Sequence, residues 1–367
     1  MIRLAPIAAN LPATVPFVGP ETLERRAGRP FAARLGANEN GFGPSPRAVE
    51  AMQAAAAEVW KYGDPTSHDL THALAAHHRV RPENIVVGEG IDGLLGLLVR
   101  LLVAPGDAVV TSDGAYPTFT FHVTGFGGAL HQVPYRDDAE DPQALLDRAA
   151  ETGARLVYLA NPDNPMGSWH EGRAVQAMLD RMPPDCLLVL DEAYAEFAPA
   201  GAIPAIAADD PRVIRMRTFS KAHGMAGARV GYAIGHPDLI AAFDRVRNHF
   251  GVNRIGQAGA LAALADPDWL ARTVAQVDRA RQRIAAIAAD NGLAALPSAA
   301  NFVALDTGRD GAFARRLVDA LAAGGVFVRM PGAAPLNRCI RVSCAPDAEL
   351  DRLAAALPGA LASAQNG

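Results

Sequence analysis

Only two lysines occur among the 34 basic residues of this 367-residue chain, Lys61 and Lys221. The second lies in the run Thr218-Phe219-Ser220-Lys221-Ala222-His223-Gly224-Met225-Ala226-Gly227-Ala228-Arg229. A lysine just past a buried strand points into the crevice where open α/β sheets bind their ligands. Desolvation and a nearby cation lower the pKa of an amine so placed, as nucleophilic amine chemistry requires. Thr218 and Ser220 offer hydroxyls, and Arg229 a fixed cation, to a phosphate. A solvated surface lysine is the bland alternative, and the turn glycines on its C-terminal side argue against it.

Three other segments could share this chemistry. In Leu187-Leu188-Val189-Leu190-Asp191-Glu192-Ala193-Tyr194 an apolar strand ends in an acid, with a tyrosine three residues on. A carboxylate buried there needs a cation or hydrogen bonds, although a helix-capping Asp or a metal ligand would leave the same trace. Asn161-Pro162-Asp163-Asn164-Pro165-Met166-Gly167 reads as a Pro/Asn turn on the same edge of the sheet. Gly88-Glu89-Gly90-Ile91-Asp92-Gly93 is formally G-x-G-x-x-G between a strand and a helix, and Asp113 ends the next strand. Alone, this is the dinucleotide fingerprint of an NAD(P) dehydrogenase. The physics is broader, because glycines at a strand-to-helix turn bare N–H groups that hold any phosphate.

The elements that must position these residues are legible as short apolar runs alternating with helical patterns. Strands are expected at Asn84 to Gly88, Ala108 to Ser112, Arg155 to Ala160, Leu187 to Leu190, Val213 to Thr218 and Arg229 to Ile234. Helices are expected at Arg47 to Val59, Asp69 to His77, Asp92 to Leu102, Pro142 to Glu151 and Arg173 to Asp180. From Asp268 a long Ala/Arg helix to Ala289 is followed by Asn301 to Leu305 (strand), Gly311 to Ala322 (helix), Val326 to Arg329 and Cys339 to Val342 (strands), and Asp347 to Leu357 (helix). The expected architecture is α/β: an N-terminal arm over 1–40, a large α/β domain with a mostly parallel central sheet over 41–262, and a smaller α+β domain over 263–367.

Half the residues are apolar and a fifth are charged, with a formal net charge of −5. That balance argues against a nucleic-acid backbone or an anionic membrane as partner. No window holds the roughly 18 apolar residues of a membrane span. Pro6 and Pro12 interrupt the apolar N-terminus before a signal-peptide core could form. Cys186, Cys339 and Cys344 are too few for a disulfide framework or a structural zinc site. His68, His72, His77, His78 and His122 have no metal-ligand partners in the sequence, so no metal is expected. A cytoplasmic, soluble protein is expected, and the chain's size points to an enzyme.

In this order the segments resemble the fold-type-I, pyridoxal-phosphate-dependent aminotransferases of class I/II, and most of all the histidinol-phosphate aminotransferase family. The similarity covers nearly the whole chain. It includes Pro16-Phe17-Val18-Gly19, Leu35-Gly36-Ala37-Asn38-Glu39-Asn40, Lys61-Tyr62-Gly63-Asp64-Pro65, Ala300-Asn301-Phe302-Val303, Val328-Arg329 and Cys339-Ile340-Arg341-Val342. The resemblance implies that Lys221 forms the Schiff base with the cofactor aldehyde and that Asp191 pairs with the pyridinium nitrogen. It implies that Tyr194 and Asn164 bond the ring's phenolic oxygen and that Tyr116 stacks on the ring. The phosphate falls to Gly90, Ile91 and Asp92 at the helix start, with Thr218, Ser220 and Arg229. Tyr62 would reach the neighbouring subunit's cofactor in a homodimer. Asn38, Arg329 and Arg341 would hold the substrate.

The implied activity is ping-pong transfer of an amino group between histidinol phosphate and 2-oxoglutarate, both small molecules, with Lys221 as general base. Four residues depart from the family pattern: Phe17 for a tyrosine, Gly93 for an acid, Met166 for a threonine and His223 for an aromatic. Those at Phe17 and His223 keep other donors open, among them an aromatic or other amino acid. A decarboxylase of an amino-acid phosphate is a more distant alternative, and the NAD(P) dehydrogenase more distant still.

Overall fold

The computed structural model describes residues 2–9, 11 and 18–366. Pro12, Pro16 and Phe17 lie outside the described residues. A short strand, β1 (Ala33–Arg34), precedes the central sheet. That sheet contains β2 (Ile85–Gly88), β3 (Ala108–Ser112), β4 (Ala129–Val133), β5 (Leu156–Ala160), β6 (Leu187–Asp191), β7 (Val213–Thr218) and β8 (Gly231–Gly235). Their spatial order is β2-β8-β7-β6-β5-β3-β4. β8 runs opposite to the other six strands.

Every residue of β5, β6 and β8 is buried, which explains their unbroken apolar runs. Helices cover both faces. Leu94, Leu95 and Leu98 of the helix Gly90–Leu102 pack on one, and Leu145, Val175 and Leu179 on the other. The sequence does not anticipate β4 or the helix Pro117–Gly125. β4 is a mixed, half-exposed edge strand, and that helix is built from β-branched and aromatic residues of low helix propensity, started by Pro117.

The C-terminal part contains β9 (Ala294–Ala295), β10 (Phe302–Asp306), β11 (Val326–Phe327) and β12 (Cys339–Ser343). β10 sits between β12 and β9, antiparallel to both. The final helix runs Asp347–Asn366, beyond its expected end at Leu357 and through Pro358. Leu357, Ala360 and Ala364 stay buried along one stripe, so packing overrides the missing proline N–H.

Residues expected in the arm join this C-terminal part. β1 pairs in parallel with β11, Leu35 N donates to Phe327 O at 2.7 Å, and Ser343 N donates to Leu35 O at 2.7 Å. The segment that follows, including Asn38, is thereby laid across the ends of the central strands.

Candidate active site

The C-terminal ends of β5, β6 and β7 converge on a cavity of about 250 Å³. Asp191 is the last residue of β6 and is buried. Its Oδ2 accepts from Tyr158 Oη at 2.7 Å and its Oδ1 from Ala193 N at 2.9 Å. Burial pushes its pKa up to about 6, against the pull of those two donors. A carboxylate held this way still seeks a cation.

Lys221 follows β7 by three residues and also lines the cavity. Its Nζ donates to Asn38 O at 3.2 Å and lies 5.7 Å from the centre of the Tyr194 ring. Burial, with Arg341 and Arg229 adding like charge, brings the amine pKa down to about 8. About a fifth of the amine is therefore neutral at pH 7.4, far more than for an ordinary lysine, which suits a nucleophile or general base.

Asn38 ties the two sides together. Its Nδ2 donates to Tyr194 Oη at 3.1 Å, and its own N donates to Ser343 Oγ at 3.0 Å. Asn301 Nδ2 holds its carbonyl at 3.1 Å. Expected to face the substrate, its side chain is thus engaged with Tyr194. Its backbone is left-handed, φ 53, a conformation asparagine tolerates better than most residues.

Opposite lies a cradle. Gly90 starts its helix at φ +77, where a side chain would run into the Arg229 guanidinium. A Cβ on Gly231 would lie 2.8 Å from Gly90 C, so only glycine lets β8 approach the helix start. Arg229 Nη1 donates to Ser220 Oγ at 3.3 Å, and Thr218 Oγ1 lies 2.9 Å from Ser220 Oγ. Two hydroxyls, a guanidinium and the first-turn amides of Ile91 and Asp92 form a site for a dianionic phosphate. Asp92 is itself engaged, accepting from Tyr116 Oη at 2.7 Å and pairing with Arg229 at 3.6 Å. Tyr116 and Asn164 line the cavity.

Arg341 Nη1 donates to Asn164 Oδ1 at 2.5 Å, and its guanidinium lies 5.1 Å from the Phe302 ring centre. Its Nε is buried and has no hydrogen-bond partner among the described residues, and burial lowers its pKa to about 10. Arg329 and Arg341 line a second groove of about 980 Å³ beside the cavity, and their backbones are bridged. Tyr62 does not reach this chain's cavity. It is exposed, its ring tilted against Phe250 with centroids 4.7 Å apart.

The family departures are placed as follows. Met166 packs with Ala304, Leu336 and Cys339. A Cβ on Gly93 would meet the Glu89 side chain at 3.2 Å. His223 lies against Phe219, centroids 4.8 Å apart, and burial drives its pKa to about 4, so it is a neutral packing group outside the cavity lining. Tyr158 was not anticipated, because a tyrosine within an apolar strand reads as core. Register reveals it: Ala160 pairs with Asp191, and Tyr158, two residues back, shares that face.

The dinucleotide reading fails on topology. Its fingerprint needs the glycine strand beside the strand ending in the acid. Here β2 and β3 are separated by β8, β7, β6 and β5.

The family model for aminotransferase class I and II matches residues 33–357. The chain is 36% identical over 361 residues to the histidinol-phosphate aminotransferase of Anaeromyxobacter sp. (strain Fw109-5), covering 97% of this chain and 98% of that protein. The chain belongs to the histidinol-phosphate aminotransferase family of class I and II aminotransferases. A crystal structure of the histidinol-phosphate aminotransferase from Sinorhizobium meliloti, in complex with pyridoxal-5'-phosphate, is 56% identical with a TM-score of 0.96, covering 99% of this chain and 98% of that one. Thermus thermophilus aspartate aminotransferase with maleate, at 23% identity, 97% and 100% coverage and a TM-score of 0.79, shares the fold. As a member of this family the chain is a transaminase of fold type I.

Proposed function

We propose that the chain is a pyridoxal-phosphate-dependent aminotransferase that moves an amino group from histidinol phosphate to 2-oxoglutarate. The observation that carries the reading is one cavity holding a buried amine of lowered pKa, a buried carboxylate and a phosphate cradle. The donor set suits pyridoxal phosphate group by group. When bound, that cofactor supplies an aldehyde that condenses with amines and a ring that takes up the electron pair left as a Cα proton departs.

The chain's residues do the rest. Thr218, Ser220, Arg229 and the helix amides anchor the phosphate. Asp191 holds a proton on the ring nitrogen by presenting a carboxylate, itself kept ionised by the Tyr158 hydroxyl and the Ala193 amide. Lys221 Nζ would take the donor's Cα proton, and Tyr194 and Asn164, which line the same cavity, would hold the cofactor's ring oxygen. Arg341 binds the acidic group of either substrate. Arg329 adds a second cation along a groove of about 980 Å³ that shares Tyr116 and Asn164 with the cavity, room for a phosphorylated donor. His223, outside the cavity lining, gives no reason to prefer an aromatic donor.

The same reading includes a homodimer. Trp60, Tyr62 and Phe250 are exposed aromatics, and a second copy covering them would bring Tyr62 to its neighbour's phosphate. Free, buried cysteines accord with a reducing cytoplasm, and no helix among the described residues is long and apolar enough to cross a membrane. The deciding experiment is the absorption spectrum of the cofactor-loaded protein, followed by half-transamination against histidinol phosphate, phenylalanine and arginine. Histidinol phosphate is expected to react fastest, and a faster reaction with phenylalanine would move the assignment to an aromatic donor.

A further inference from the structure

The turn after β5 contains a carboxylate that the mechanism above does not use. Asp163 is buried, and among the described residues no ion pair involves it. Its Oδ1 accepts from Tyr135 Oη at 2.9 Å and its Oδ2 from Met166 N at 3.0 Å. Its backbone closes the same turn, with Asp163 N donating to Ser168 O at 2.8 Å and Gly167 N to Asp163 O at 3.1 Å. Tyr135 lies two residues past β4 and packs against Met166, Ala304, Leu336 and Cys339. The side chain therefore joins two segments that no strand pairing connects, at the desolvation cost of a buried acid. Burial pushes its pKa up to about 7, while Arg341 and the two donors pull it down.

The next residue is Asn164, whose Oδ1 accepts the 2.5 Å bond from Arg341. Among the described residues the guanidinium has few other restraints, its Nε having no hydrogen-bond partner and its plane resting on the Phe302 ring. The orientation of the arginine thus depends on Asn164, and that of Asn164 on the turn that Asp163 braces.

We propose that Asp163, with Tyr135, is a positioning residue for substrate anions: it fixes the turn that presents Asn164 to Arg341 and so sets the direction of the guanidinium. This rests on the reading of Arg341 as the group that holds the substrate's acidic end. Asp163 lines neither the cavity nor the groove. Its effect belongs in anion affinity more than in the chemical step, since a misaimed clamp weakens binding before it changes the reacting atoms.

The test uses the cofactor-loaded enzyme and glutarate, an unreactive dicarboxylate of 2-oxoglutarate's length, with binding read by calorimetry. Asp163→Ala is expected to raise the glutarate dissociation constant and the KM for 2-oxoglutarate about tenfold, with a smaller fall in kcat. Asp163→Asn keeps the shape and one acceptor, and is expected to recover affinity to within about threefold. Tyr135→Phe preserves the packed ring, shifts the same constants in the same direction, and carries the test if the alanine variant does not fold. Glutarate affinity within about twofold of wild type in these variants, alongside its loss in Arg341→Ala, overturns the positioning role. If Arg341→Ala binds glutarate normally, the reading of that arginine fails first and takes the proposal with it.

Discussion

Tyr158 and Asp191 stand on adjacent parallel strands, joined by a 2.7 Å bond from the phenol hydroxyl to Oδ2. The tyrosine is fully buried, stacked on Phe119 at 4.6 Å, so the donor is fixed before any ligand arrives. Tyr158→Phe removes that donor and little else. With one hydrogen bond to the charged form gone, the Asp191 pKa rises further above 6 and the carboxylate is less ionised at neutral pH. Pyridoxal phosphate is expected to bind about tenfold more weakly, the scale of one hydrogen bond to a charged group. Fluorescence titration of the apoprotein measures it, and unchanged affinity would remove Tyr158 from the site.

The second expectation concerns the amine. Acylating reagents attack only neutral amines, so labelling of Lys221 in the apoprotein should rise through a midpoint near pH 8 instead of the ordinary 10.5. Arg341→Ala withdraws a nearby positive charge, and the midpoint should move upward. Peptide mapping separates the signal from Lys61, the chain's other lysine. A midpoint above 10 in the wild-type apoprotein contradicts the burial argument.

Asp191 also makes the apoprotein sensitive to pH. An acid whose pKa is raised on folding binds its proton more tightly in the folded chain than in the unfolded one. Stability therefore falls as pH climbs from about 4 to about 6, and the full penalty, about 3 kcal/mol in order of magnitude, persists above that. Asp191→Asn removes the penalty. Its apoprotein should melt higher than wild type at pH 7, with the gap closing toward pH 4, while its transamination rate falls by orders of magnitude. Calorimetric melts across that range test the first part, and stopped-flow half-reactions the second.

Tyr62 offers a test of assembly. It is exposed in the single chain and absent from its cavity lining, so Tyr62→Ala should leave cofactor binding alone unless the residue acts on a neighbour. The expected result is a cofactor dissociation constant raised about tenfold, the loss of one charge-assisted hydrogen bond. Trp60→Glu should shift the protein toward monomer in sedimentation velocity. Full cofactor affinity in both variants would sink the shared-site reading.

Residues that act at strand ends leave a readable trace, because a charged group directly after an unbroken apolar run conflicts with burial. Asp191 is legible for that reason, Lys221 by its place among turn glycines in a chain with two lysines, and the Gly90 cradle by its glycine spacing. Tyr158 and Asp163 leave none: one belongs to an apolar run and the other to a turn where Asp is commonplace, and only strand register and side-chain geometry give them roles. The glycine motif was legible but ambiguous, since phosphate binding is encoded locally whereas the dinucleotide partner depends on which strands are neighbours. His223 misled in the opposite way. Its type differs from the family's, yet its position against Phe219 makes the difference one of packing.

Asn38 lies near the beginning of the chain and is held by Ser343 near its end. On the ribosome, the seven strands of the central sheet can emerge and pair while β12 is still being made. A nascent chain at that stage carries the reactive lysine and its facing acid, but lacks Arg341 and the clasp on Asn38. Selection of a substrate therefore waits for β12, and a truncated translation product keeps the amine without that means.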